Sequence, residues 1–329
     1  MQPILKEKVW GGRRLAELLG KDTPPDQKTG ESWELADHPH GTSTVAGGPL
    51  AGWSLRKVLE EHAEAVVGPR LARSGWTKRF GLLIKFIDAS DRLSVQVHPD
   101  DAYAAEHAPG EKGKTVCWTI VHADPGAWVI HGTRPGTTRQ EFAAAVKNGS
   151  VEQFLVRREV KRGDLIWVPA GTLHAIGPGV VLAEVQQNSD VTYRVYDWNR
   201  VGLDGKPRTL HVKQALEVTN FEGDLAPSGG RGKTADETGL VIEHLVDCHA
   251  FSLSRIRLDR RPWAAETGGT FAALVVLEGS ARLATGGGDL DMVRGDTVLV
   301  PADAGEYAFE SPQGLTVLVA APPGKAPTR

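Results

Sequence analysis

Two stretches of this chain repeat one another. GDLIWVPAGTLH (163–174) and GDTVLVPADAGE (295–306) share Gly-Asp, four mainly apolar residues and Val-Pro-Ala, over the same length. Each reads as a turn, a short strand and a second turn, so the chain is expected to hold two related β-units. The copies differ where chemistry would reside: Glu306 stands where the first copy has His174. Duplication followed by loss of a site leaves this pattern, and the second unit is read as structural. A length of 329 residues accommodates two packed units.

Composition agrees with a turn-rich β-protein. Gly (38) and Pro (20) punctuate a chain with few aromatics (6%). The formal net charge of -3 describes an ordinary globular surface, which argues against a nucleic-acid or membrane partner. The two cysteines, Cys117 and Cys248, lack CxxC spacing and offer neither a disulfide framework nor a thiolate zinc cluster. A reducing, cytoplasmic setting is expected. No apolar leader follows the first residues, and no long apolar run occurs.

Along the chain, apolar spacing predicts an amphipathic helix within 49–75, carried by Leu55, Val58, Leu59 and His62. Residues 81–101 alternate as strand, with Gln96 and His98 on one face. The segment 115–131 reads as a hairpin turning at Ala123-Asp124-Pro125-Gly126. Residues 137–157 read as helical with a break at Asn148-Gly149 and a capping box from Thr138 to Glu141. Strands are expected at 164–169, 180–187 and 192–198, and a helix near 211–218. The Gly- and Ser-rich stretch 225–239 reads as a linker, and 241–322 as short strands. Two Gly-Lys-Thr triplets, at 113–115 and 232–234, lack the earlier glycine of a P-loop.

Gly163, Pro169, Gly171 and His174 fit G-x5-P-x-G-x2-H, the second metal motif of cupin barrels. A strand ends at Pro, Gly permits the tight turn, and His on the returning strand faces the interior. Gln96-Val97-His98 supplies a partner pair, since i and i+2 share a face. Neutral imidazole is a common ligand for divalent transition metals, and an amide oxygen is a tolerable addition. The expected fold is therefore mainly β: two cupin-like (jelly-roll) barrels with helical insertions in the N-terminal half. Residues 1–224 would form the catalytic unit, 225–239 the connection, and 240–329 a cupin-like unit without metal ligands.

The strings LSVQVHPDD (93–101), GEKGKT (110–115), PAGTLHAIG (169–177) and EVQQNSDVTYRVYDW (184–198) closely resemble the short bacterial type I mannose-6-phosphate isomerases. KVWGG (8–12) and GESWELADHPHGTSTVAGGPL (30–50) match as well, and the likeness weakens beyond about residue 220. The resemblance implies one Zn2+ per chain held by Gln96, His98 and His174, and a sugar-phosphate substrate isomerised through an enediolate. It also implies Glu184 as the acid–base group, Arg194 as the residue stabilising negative charge, and Lys114 as a substrate-contacting cation. This chain departs from the family in one ligand. The family's glutamate after Gly-Lys-Thr is Val116 here, and the usual tyrosine is Thr119. A valine cannot ligate, so a metal-deficient, weakly active or non-catalytic sugar-phosphate-binding cupin is the alternative. Asp100, Asp101, Glu106, Glu111 and Glu184 are the carboxylates considered as stand-ins, and none replaces the lost ligand convincingly.

Overall fold

The computed structural model describes residues 1–222, 232–235, 239–260 and 262–325. The N-terminal part contains β1 (Ile4–Gly12), β2 (Thr29–Leu35), a short pair β3 (Asp37–His38) and β4 (Gly41–Thr42), β5 (Leu82–Ala89), β6 (Val95–Val97), β7 (Val116–Ala123) and β8 (Trp128–Thr133). It continues with β9 (Leu155–Glu159), β10 (Leu165–Val168), β11 (His174–Ile176), β12 (Val180–Gln187) and β13 (Tyr193–Tyr196). Helices α1 (Arg14–Leu19), α2 (Leu55–Val67), α3 (Pro69–Arg73), α4 (Asp101–His107), α5 (Arg139–Asn148) and α6 (Val212–Val218) are inserted between them.

One sheet has the order β1-β2-β5-β12-β7-β10, and a second the order β13-β6-β11-β8-β9. Trp10, Ile87, Trp118 and Leu182 from the first meet Val129 and Ile176 from the second in one apolar cluster, so the sheets close face to face. The outer face of the six-stranded sheet packs on α2, α3 and the C-terminal unit through Phe80, Val185, Phe251 and Phe271. Both faces of β5 and β12 are thereby covered, and every residue of the two strands is buried. Periodicity alone cannot separate such fully buried strands from buried helix.

The C-terminal part runs through β14 (Lys233–Ala235), β15 (Val241–Asp247), β16 (Ser252–Leu258), β17 (Trp263–Glu266), β18 (Ala272–Thr285), β19 (Gly288–Val293), β20 (Thr297–Val300), β21 (Glu306–Glu310) and β22 (Leu315–Ala321). They order as β14-β15-β16-β22-β18-β21-β17, with β19 and β20 also on β18. Ile256, Trp263, Tyr307, Phe309 and Val317 fill the interior. The mainly β, two-unit cupin-like architecture expected from the repeat is what forms.

The repeat has a structural counterpart. Asp164 Oδ2 accepts from the Lys161 amide at 3.0 Å, and Asp296 Oδ2 accepts from the Val293 amide at 2.8 Å. The two preceding glycines are left-handed, with φ of 88° at Gly163 and 94° at Gly295. Each glycine carbonyl accepts a hydrogen bond from the opposite unit: Arg255 donates to Gly163 at 2.8 Å, and Lys21 donates to Gly295 at 2.7 Å. A Cβ at Gly295 would lie 2.3 Å from the Leu19 carbonyl oxygen, so the contact needs glycine there. Glu306 is exposed, and the space behind it is filled by aromatics.

Two expectations are corrected. The 115–131 hairpin does not exist: β7 pairs with β10 and β12, whereas β8 pairs with β9 and β11. The turn is there, with the Ala127 amide donating to Asp124 at 2.9 Å, but it is a corner between sheets. Local turn chemistry cannot say whether the returning strand pairs or crosses. The single helix within 49–75 is two, split at Gly68, whose φ of 84° no helix continues through. Most of the linker 225–239 lies outside the described residues, yet Lys233–Ala235 within it is a strand paired with β15. The Thr138–Glu141 capping box is present, and Gly149 ends the helix at φ 79°.

Candidate active site

The six-stranded sheet lays one row of side chains across its inner face. Cα pairing puts Trp33 beside Lys85, Lys85 beside Glu184, and Glu184 beside Trp118. Facing strands share inward parity, so the row follows from register alone. Lys85 Nζ lies 3.3 Å from Glu184 and 3.8 Å from Glu31, while Lys8 reaches Glu31 at 3.2 Å. Indole nitrogens complete the carboxylates: Trp118 donates to Glu184 at 2.6 Å and Trp33 donates to Glu31 at 2.7 Å. Buried charges survive when paired and hydrogen-bonded in this way. Burial works against ionisation of Glu31, but Lys85, Lys8 and the Trp33 indole hold its pKa at about 2. Burial would lower Lys85 too, and the two carboxylates override it and push that lysine upward.

Lys114 behaves differently. It is 4% exposed and makes no ion pair within 4 Å among the described residues. Burial, then repulsion from Lys85, brings its pKa down to about 8. Two buried lysines in one cavity thus have affinities for protons pushed in opposite directions, an arrangement associated with acid–base assignment. Asp190 on the same wall is held at about 2, the pull of Lys85 and Lys114 outweighing its burial. His40 Nδ1 is 2.8 Å from that carboxylate.

The five-stranded sheet supplies the opposite corner. His174 opens β11 directly across from Gln96 on β6, and Arg194 on β13 pairs with Gln96 from the other side. The rings of His98 and His174 are 4.7 Å apart between centroids. Each turns Nδ1 to a main-chain carbonyl at 2.8 Å, Val191 for His98 and Thr172 for His174. A carbonyl only accepts, so each Nδ1 carries the proton and each Nε2 keeps its lone pair. Burial, helped at His98 by Lys114, keeps both rings neutral, with His174 lowered to about 4. Metal-binding imidazoles are oriented by this kind of outer hydrogen bond. Gln96 Nε2 lies 3.3 Å from His174 Nε2, and its carbonyl end accepts from Ser94 at 3.2 Å. Two fixed imidazoles and one amide fit a divalent cation of the zinc type with an open position. No group of three or more His, Cys, Asp or Glu that could hold a metal ion occurs among the described residues; the third polar side chain beside the two imidazoles is the Gln96 amide.

Val116 sits on the inner face two residues before Trp118, 0% exposed, paired with Val168 and Gln186. Its side chain belongs to the apolar cluster between the sheets. Thr119 shares parity with Cys117 and Val121, which belong to the cluster on the outer face of the sheet, so it points the other way. Arg194 Nε donates to Ser94 at 3.2 Å and its Nη1 to the Thr209 carbonyl at 3.0 Å.

One cavity of about 280 Å3 is lined by Gln96, His174, Lys114, Glu184 and Arg194 together with Lys85. Five of the six residues singled out in the sequence thus line one cavity, and the sixth, His98, has its ring 4.7 Å from that of His174. Sequence reading passed over Glu31, Lys85, Trp118 and Asp190. Lys85 carried a signal: it is the one cation in the otherwise apolar run GLLIKFI (81–87). Trp33 is 2% exposed and also steers Glu31. His122 Nε2 lies 3.0 Å from Asp124.

Residues 1–112 match the family model of the phosphomannose isomerase type I catalytic domain, and residues 241–320 match the mannose-6-phosphate isomerase cupin domain. Mannose-6-phosphate isomerase ManA of Bacillus subtilis is 37% identical over 309 residues, spanning 94% of each chain. The chain belongs to the mannose-6-phosphate isomerase family. The likeness extends through the C-terminal unit, past the point near residue 220 where sequence motifs fade. A crystal structure of a mannose 6-phosphate isomerase from Bacillus subtilis superposes with a TM-score of 0.88 at 34% identity, covering 97% of this chain and 98% of that one. A mannose 6-phosphate isomerase solved with zinc and yttrium shares the fold at 18% identity and a TM-score of 0.73, with 96% and 97% covered. No helix among the described residues is long and apolar enough to cross a membrane.

Proposed function

We propose that this family member interconverts mannose 6-phosphate and fructose 6-phosphate through an enediolate, with Zn2+ held by Gln96, His98 and His174. Residues 1–224 would be the catalytic unit, 225–239 a connection, 240–329 a structural barrel, and the cytoplasm the setting. The observation that carries the reading is the convergence, in one cavity, of the Lys85–Glu184 pair at 3.3 Å with Lys114, Arg194, Gln96 and His174, whose ring lies 4.7 Å from that of His98.

The reaction moves a proton between C2 and C1 of the open-chain sugar and needs a base, a cation near the developing oxyanion, and a phosphate anchor. Zinc, when bound, supplies Lewis-acid polarisation of the sugar oxygens. Glu184 is the proton carrier. Lys85 and Trp118 fix its two oxygens, and the remaining lone pairs face the cavity. Arg194 is held by Ser94 and Thr209 and stays cationic, although burial and Arg208 lower its pKa. It stabilises negative charge on substrate. Lys114, charged below about pH 8, is the second cation against the sugar.

One observation favours a second reading. Val116 removes the only carboxylate from the donor set, leaving three neutral ligands and a weaker hold on a dication. A sugar-phosphate-binding cupin with little turnover would follow. Incubation with mannose 6-phosphate and zinc in heavy water separates the two. The isomerase should form fructose 6-phosphate with solvent deuterium at C1, and absence of both product and exchange in excess zinc would reject it.

A further inference from the structure

A second cavity, of about 490 Å3, lies outside the barrel over β8 and β9. Its walls are built from two arginine–tryptophan stacks. The Arg92 guanidinium lies 4.2 Å from the Trp198 ring centroid and that of Arg157 lies 4.6 Å from Trp128. The two indoles meet edge to face at 6.3 Å. Arg134 is a third cation on the rim, and Ile130 and Leu155 form an apolar floor. None of the three arginines makes an ion pair within 4 Å among the described residues, and all three are exposed. The one carboxylate in the wall, Glu152, accepts from the Tyr196 hydroxyl at 3.4 Å.

Trp198, Ile130 and Leu155 belong to a buried core cluster with Trp128 packed against it, whereas the three guanidinium groups lie outside that core. Gathering three guanidinium groups around a single carboxylate costs stability, and the cost is expected where an anion is bound. Trp198 is also held at φ 60° and Asn199 at φ 55°, left-handed values that a bulky residue adopts only under constraint. The Trp198 indole is pinned by donation to the Leu93 carbonyl at 2.7 Å. Strained backbone of this kind collects at ligand sites. Flat guanidinium and indole surfaces suit a planar ring, since arginine stacks on aromatic systems and pairs bidentately with phosphate. Glu152 is placed to accept from a ligand hydroxyl or amine. The volume falls in the range of small-molecule sites.

We infer that this cavity binds a phosphorylated small molecule carrying a planar heteroaromatic ring, of the nucleotide class, at a site separate from the barrel interior. No P-loop takes part. Calorimetric titration of the full chain with ADP tests it, with pyrophosphate and adenosine as component probes and with mannose 6-phosphate present to fill the barrel. ADP should bind at least about tenfold more tightly than either component. R157A should weaken it about tenfold or more, and R134A, which disturbs no indole stack, should weaken it measurably with the fold intact by circular dichroism. Three results would overturn the inference: no saturable heat at millimolar ADP, pyrophosphate binding as tightly as ADP, or displacement of ADP by mannose 6-phosphate.

Discussion

Replacing Val116 by glutamate asks whether this position adjoins a metal. The side chain is 0% exposed and its strand neighbours in register, Val168 and Gln186, are not cations. In metal-free protein the new carboxylate has to be buried unpaired or protonated, at a cost of about 3–5 kcal/mol. At about 2 °C per kcal/mol for a chain of this size, the melting temperature should fall by about 6–10 °C. Zinc at about 100 times its Kd returns about 2.7 kcal/mol, or about 5 °C. Wild type should gain less from the same zinc, because its three donors are neutral. Thermal unfolding of both proteins, with chelator and with zinc, reads all four states. If V116E melts with the wild type in chelator and gains no more from zinc, Val116 does not border the metal and the ligand assignment is wrong.

His174→Ala should abolish stoichiometric zinc, and retained zinc by elemental analysis would remove His174 from the donor set. E184Q should lower turnover by about 100-fold to 10,000-fold with zinc content unchanged, and a change confined to KM would contradict proton transfer by Glu184. Burial and Lys85 lower Lys114 to about 8, below its unfolded value, so the charged form opposes folding fully below pH 8 and the penalty fades as pH rises towards the unfolded pKa. K114M should therefore lose turnover yet melt higher than wild type at pH 7, and a lower melting temperature would refute this. In the wild type, turnover should decline as pH rises through about 8 if Lys114 acts as a cation, whereas a rising limb there would make it a base.

The fold was legible where sequence pattern and local chemistry coincide. Thr138 and Glu141 form a capping box whose partners are three residues apart, and Gly163 and Gly295 announce equivalent left-handed corners. Legibility failed where pairing is decided at long range. The turn at 123–126 looked like a hairpin because Pro and Gly specify the turn but not the destination of the next strand. The site divided in the same way. Gln96, His98 and His174 stand in recognisable strings, whereas the role of Glu31 follows from Lys85 and Lys8, which reach it from neighbouring strands. Trp118 was invisible for a similar reason: only the pairing of β7 with β12 puts its indole on Glu184.

Zinc content and mannose 6-phosphate turnover measured on one sample, purified without a metal-affinity tag, test the central claim most directly. The account expects about one zinc per chain and fructose 6-phosphate formation that disappears with chelator and returns with zinc. Protein that stays metal-free and inactive in excess zinc would contradict it.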